Sequence, residues 1–210
     1  MFRARWVVVL LTVYVMLLDA GVLTAASAFP IHMTDTLGRQ VTIKTLPQRI
    51  VSLAPSNTER LFAVGAWHAV VGVTTVDTYP PEVTTVRQVG GFVPQSLSVE
   101  TIVSLKPDLV LAAGELRRPT IEALERLGLT VVAIEDPSSF DEVYIDIMLV
   151  GRLTSHEQEA RRVVEEIQAR MQRVRQTVET LPQEKRVTVF YEVYDGPLMT
   201  VGRTTIIGQL

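Results

Sequence analysis

Between Ser155 and Leu181 the apolar residues recur every three or four positions: Ala160, Val163, Val164, Ile167, Met171, Val174, Val178 and Leu181. That spacing draws a single stripe down an α-helix. Glu, Arg and Gln fill the remaining faces, and Glu157–Arg161 and Glu166–Arg170 stand at the i,i+4 separation that supports a helix locally. Ser155 is the expected N-cap. Pro182 is the expected stop, because a proline pushes the residue before it out of the α region. No Gly or Pro interrupts the rod, which would be about 40 Å long. The stripe fits two architectures: a coiled-coil arm, or a spine with an α/β lobe at each end. The flanking segments decide between them.

Ahead of the spine, residues 31–43 alternate around Gly38 and predict a short hairpin turning near Thr36 to Arg39. Arg49 to Leu53 reads as a buried strand. Thr58 to Ala66 reads as a short helix, with Ser56 and Glu59 at capping-box spacing. Val70 to Val73 is the next strand, so the order strand, helix, strand implies a parallel crossover. Thr74 to Leu97 is irregular and rich in Pro and Gly. A loop of that length in a compact domain is usually functional, and ligands tend to bind beyond the carboxyl ends of parallel strands.

Regular pattern then resumes. Helices are predicted at Ser98–Leu105, Pro119–Leu127 and Ser139–Leu153, and strands at Leu109–Ala112 and Leu129–Ile134. Beyond Pro182, Arg186 to Val193 alternates as a strand. Gly202-Arg203-Thr204 resembles the start of a helix capped by Thr204. A lone strand and a helix stub bury no core of their own. The fold class is therefore α/β: a mostly parallel-sheet first lobe, a long interlobe backbone helix, and the beginning of a second α/β lobe. The divisions fall at residues 1–28, 29–154, 155–182 and 183–210.

Composition narrows the chemistry. The net charge of −3 gives no basic surface for nucleic acid, and the absence of Cys removes disulfides, thiolate metal sites and cysteine nucleophiles. Arg3 and Arg5, an apolar run from Trp6 to Leu18, and Ala26-Ser27-Ala28 have the order of a secretory signal peptide, with cleavage expected near Ala28. The mature protein is thus expected in the periplasm or another extracytoplasmic space. His32, His68 and His156 fall in three separate settings with no ligand spacing, so no metal site is expected. No phosphate loop, nucleophile elbow or paired carboxylate with a base is present, so no catalytic residue is assigned.

Several segments, in this order, resemble the class III substrate-binding proteins of ABC importers. They are Asp35-Thr36-Leu37-Gly38-Arg39, Arg49 to Glu59, Val71-Gly72-Val73, Tyr79-Pro80-Pro81, Val89-Gly90-Gly91-Phe92 and Leu105 to Val110. The cobalamin-binding members are most similar, through Ala54 to Glu59 and the Tyr79-Pro80-Pro81 loop. The resemblance implies two lobes joined by one long helix, with a small metal-chelate ligand (cobalamin, haem or a ferric siderophore) held between them. It implies a monomer that delivers this cargo to the membrane subunits of an importer and carries no cofactor of its own. Such proteins have a complete second lobe, whereas this sequence stops where that lobe begins.

On that basis Pro55, Ser56 and Asn57 lie on a strand-to-helix turn that faces the cleft, where free helix N–H groups suit a ligand oxygen. Phe92, beside Gly91, matches an aromatic wall for a flat macrocycle, and Val76 stands where relatives carry Tyr. Asp77 and Tyr79 are expected to hydrogen-bond polar ligand edges, and Tyr194 to line the opposite side. Glu100 has a sufficient local reason in the helix dipole, and the resemblance adds docking to an importer Arg. Two other readings stay open: an enzyme or cofactor-assembly component on the same architecture, and an inactive truncated fragment.

Overall fold

A computed structural model describes residues 28–91, 96–114 and 118–209, so the leader read at residues 1–28 lies almost wholly outside the described residues. The elements begin with a hairpin, β1 (Ile31–Thr34) and β2 (Gln40–Ile43). Then come β3 (Ile50–Ser52), α1 (Pro55–Ala63), β4 (Val70–Val73) and β5 (Arg87–Gln88). They continue with α2 (Val99–Ser104), β6 (Leu109–Ala113), α3 (Arg118–Arg126), β7 (Val131–Ile134) and α4 (Phe140–Leu153). The spine is α5 (Glu157–Glu179), followed by β8 (Glu192–Asp195) and β9 (Leu198–Thr200).

The five central strands pair in the order β5-β4-β3-β6-β7, every pair parallel. Strands β4, β6 and β7 are apolar without alternation because both faces are covered, whereas the edge strand β5, Arg87–Gln88, is exposed. Ile50, Leu109, Leu111 and Ile134 face a core shared with α1, α4 and α5. Val51, Val110, Ala112 and Ala133 face a second core that includes Ile102 of α2 and Ile121 and Leu124 of α3. From β3 the chain moves outward through β4 to β5, then returns to build β6 and β7 on the other side. The direction of winding therefore reverses between β3 and β6.

The predicted hairpin forms, with Ile31 opposite Ile43 and Gly38 at φ +74° in its turn. It also closes the sheet edge. The buried Asp35 carboxylate accepts from Leu37 N, Arg39 N and, across the chain, Ala133 N of β7 at 3.0 Å. Thr36 Oγ1 donates to Ala133 O at 2.9 Å. Edge groups of β7 that would otherwise offer a pairing template are thus satisfied.

Several local expectations are corrected. Helix α1 starts at Pro55, three residues before the expected Thr58, and no side chain caps it. Proline suits a first helical turn through its fixed φ. The N-cap residue is Ala54, which has no capping side chain, so the Ser56–Glu59 capping box is absent, and the Thr58 hydroxyl donates to Ser52 Oγ and the Ala54 carbonyl. Ser155 does not cap the spine. It takes φ +57° in the turn from α4, and His156 is the N-cap residue. The ion pairs on the spine run from Arg162 to Glu159 and Glu166, at 2.9 and 3.1 Å, rather than through Glu157–Arg161 and Glu166–Arg170. Residues 186–191 do not form the expected strand. Pairing begins at Glu192, which turns with β9 around Gly196-Pro197, because no described strand lies beside the earlier residues. The helix expected from Thr204 is only a short 3-10 turn at Ile207–Gln209.

Two contacts hold the helical layer. Gly151 of α4 lies against Ala160 of α5, close enough that a Cβ at 151 would overlap the alanine methyl group. The first half of the spine stripe, from Ala160 through Val163, Val164 and Ile167, packs on the core, whereas Val174, Val178 and Leu181 are exposed. The second contact joins α1 to α4. Arg60, 8% exposed, donates to Asp146, 7% exposed, at 2.9 Å, and to Asn57 Oδ1 at 3.0 Å. Desolvation by burial lowers the Arg60 pKa against the attraction of Asp146. Burial likewise pushes the Asp146 carboxyl up to about 6, outweighing the pull of Arg60, with Glu142 and Asp136 adding to the rise.

Gly151→Val should force α4 and α5 apart and lower the unfolding free energy by about 1–3 kcal/mol, read from urea unfolding. Asp146→Ala should cost more, about 3–5 kcal/mol, because it leaves a buried guanidinium without its counter-ion. The Asp146 carboxyl binds its proton more tightly in the folded chain than its reference value of 3.8 allows. Its contribution to stability is therefore complete below pH 3.8 and is lost as the pH rises through about 6. Carbon-13 NMR of the Asp146 carboxyl should show a midpoint near 6.

Candidate ligand-binding site

The reversal of winding between β3 and β6 leaves a crevice beyond the carboxyl ends of these strands, where open parallel sheets usually bind ligands. Three segments converge at this edge: the β3–α1 turn, the loop after β4, and the exit of β6 at Gly114. Pro55 and Ser56 are half-buried on the turn. Asn57 is fully buried; its backbone N–H is bonded to Ala54 O, and its Oδ1 accepts from Arg60, while its Nδ2 has no partner.

The loop after β4 is braced from within. Asp77 is buried, and its Oδ2 accepts from Thr74 N at 2.9 Å and from the Thr74 hydroxyl. Its other oxygen has no partner. Val76 and Tyr79, 43% and 52% exposed, are presented at the surface. Gly90 takes φ +115° where a Cβ would meet Ser96 O, so glycine is required. Gly91 lies half-buried against Ser96 and Thr75. Phe92 lies outside the described residues. Glu100 is exposed in the first turn of α2, whose N-cap Ser98 accepts from Thr101 N as expected.

Ser56 and Tyr79 meet on one cleft of about 540 Å³. The rest of its wall comes from Glu59, Arg60, Phe62 and Ala63 of α1, Val143 and Ile147 of α4, and Arg162, Val163, Glu166 and Ile167 of the spine. Phe62 makes edge-on contacts with Trp67 and Tyr79, at ring-centroid distances of 6.0 and 5.8 Å, which orients the tyrosine at the mouth. The cleft is lined both by apolar side chains and by charges of both signs. Tyr194, 55% exposed on β8, is not among its lining residues.

Arg60, Phe62, Arg162 and Glu166 were not singled out from the sequence. One signal was present: Arg60 falls on the buried face of α1 with Leu61 and Val64, and Asp146 stands beside Ile147 on α4. Charges on two apolar faces point to a buried pair, since an unpaired one would be prohibitive. The histidine expectation also needs correction. His68 and His156 are not far apart; their ring centroids lie 5.9 Å from each other. Their 88-residue separation is closed by the packing of α5 beside α1.

Comparison with known proteins agrees with this architecture. The sequence model of the family described as periplasmic binding protein matches residues 50–210. An uncharacterized ABC transporter substrate-binding lipoprotein of Bacillus subtilis is 36% identical over 91% of this chain and 62% of its own length. A cobalamin-binding protein of Halobacterium salinarum is 33% identical over 87% of this chain and 49% of its own. The chain thus spans about half to three-fifths of the length of these relatives. Among solved structures, a possible iron-binding, periplasmic solute-binding protein of Staphylococcus epidermidis superposes with a TM-score of 0.67 at 32% identity, over 77% of this chain and 63% of that one. The periplasmic vitamin B12 binding protein of Vibrio cholerae gives a TM-score of 0.63 at 24% identity, over 76% and 60%, a likeness of fold. A parallel sheet reversing at β3, a spine leaving its edge and a family match across three-quarters of the sequence have one reading: the chain belongs to the periplasmic binding protein family.

Proposed function

We propose that this chain is the first lobe and spine of an extracytoplasmic substrate-binding protein that captures a cobalamin-like or iron-chelate ligand and passes it to an ABC importer. The observation that carries the reading is the division of the spine stripe. Its first half packs on the sheet lobe, with Ala160 buried and Val163, Val164 and Ile167 partly so, while Val174, Val178 and Leu181 are exposed beyond it. A second lobe seated on that exposed half would face the β3–α1 turn and the loop after β4, closing a cleft over Ser56 and Tyr79. Tyr194, Tyr191 and Met199 would belong to the opposing wall. The reading is supported by the cobalamin-binding protein of Halobacterium salinarum, the vitamin B12 binding protein of Vibrio cholerae and the possible iron-binding protein of Staphylococcus epidermidis.

The protein binds its cargo and carries out no reaction on it. It is a monomer without a resident cofactor, exported by the leader that ends near Ala28. Exposed Glu100 on α2 is its contact with an importer Arg. A continuous helix without Pro or Gly resists bending, so loading changes the angle between lobes only slightly.

The protein purified as its host exports it should bind at least one of cyanocobalamin, haemin or a ferric siderophore at micromolar concentration or below, read by tryptophan quenching. Tyr79→Ala and Phe92→Ala should each weaken that binding by about tenfold through loss of aromatic contact. No binding to any of the three would reject the transport reading.

A further inference from the structure

The histidine pair stands beside the C-terminal end of α1 and shares no residue with the lining of the cleft. Nine residues of helix, roughly 13 Å, separate the Pro55 turn from the end of α1 near His68. His68 stands on the 3-10 turn Trp67–Ala69 that leads into β4, is exposed, and makes no hydrogen bond through its ring among the described residues. His156 is the N-cap residue of the spine. Its backbone is held on both sides, with its N–H donating to Gly151 O at 2.7 Å and its carbonyl accepting from Ala160 N at 2.9 Å. The His156 backbone is therefore fixed at the start of the spine.

The His156 ring is also set chemically. Its Nδ1 lies 2.6 Å from the Thr154 carbonyl oxygen. A carbonyl only accepts, so Nδ1 carries the proton, and in the neutral ring the Nε2 lone pair is unused. A backbone carbonyl on the far nitrogen is the outer-shell partner that orients metal-binding histidines. Gly65 runs beside this ring, so that a Cβ there would lie 3.6 Å from His156 Cδ2.

Distance supports the same use. With a metal–nitrogen bond of about 2.0–2.1 Å, two imidazoles on one tetrahedral ion have centroids roughly 5–5.5 Å apart. The observed 5.9 Å with rings inclined at 52° closes to that value by a small rotation of exposed His68. We propose that His68 and His156 form a two-histidine site for a divalent transition metal of the Zn²⁺, Ni²⁺ or Cu²⁺ class. The bound ion would tie the α1–β4 connection to the first turn of the spine. No described group supplies a third His, Asp or Glu, so water completes the coordination and the ion exchanges freely. Imidazole is the ligand that suits this class of metal, and Cu²⁺ should bind more tightly than Zn²⁺.

The test is titration of the full chain with ZnCl2 at pH 7.5 by calorimetry, together with nitrogen-15 NMR of the imidazoles. One Zn²⁺ should bind per chain, and the ring nitrogens of both His68 and His156 should shift. His68→Gln and His156→Gln should each weaken binding by more than about tenfold. His32→Gln, on the hairpin, should leave it unchanged. His68 is exposed, so its variant keeps the test valid even if His156→Gln disturbs the turn. Absence of Zn²⁺ binding below millimolar concentration, or binding that survives His68→Gln, would overturn the site. Neither result bears on the ligand cleft, which shares no residue with the pair.

Discussion

Gly151 lies directly beneath Ala160, and much of the helical layer follows from that contact. Without a side chain at 151, the chain leaves α4, reverses through Ser155 at φ +57°, and lays the spine back along α4 at close range. This approach sets where Val163 and Ile167 meet the core and where Glu166 and Arg162 reach the cleft wall. It also fixes His156, whose backbone is bonded to Gly151, beside the end of α1. A bulkier residue would shift all of these together, because packed interiors transmit displacement instead of absorbing it.

The Arg60–Asp146 pair constrains the other side of the same cleft. Burial is unfavourable to both charges, as the opposed directions of their pKa shifts attest. Such a pair is weak evidence for stability and a strong constraint on geometry, since either partner alone would be costly. Here it orients α1 against α4 and holds Asn57, whose side-chain carbonyl Arg60 also engages. The crevice edge is therefore braced by buried polar contacts: Asn57 at the β3–α1 turn and Asp77 in the following loop. Ser56, Val76 and Tyr79 are the groups left at the surface.

Much of the fold was legible along the chain. The runs at Ile50, Val70, Leu109 and Val131 are apolar without alternation because strands of a two-sided sheet meet protein on both faces. Ser98 and Ser139 cap the helices that follow them, as their positions suggested, because capping is decided within a few residues. The candidate site was legible only in part. Ser56 and Tyr79 do meet on one cleft, but Phe62 and Arg162 came to it through helix packing that leaves no local mark. Residues 186–191 show the converse: alternation predicts a strand, and a strand still needs a neighbour to bond.

The sequence by itself determined the parallel α/β character, the uninterrupted spine and the family, because period, caps and turn residues act over short separations. Only the tertiary structure decided three things. Asp35 reaches 98 residues along the chain to close the β7 edge. Arg60 finds Asp146 across 86 residues. His68 and His156, which the sequence kept apart, stand ring to ring. Each depends on a distance through space that the order of residues does not carry.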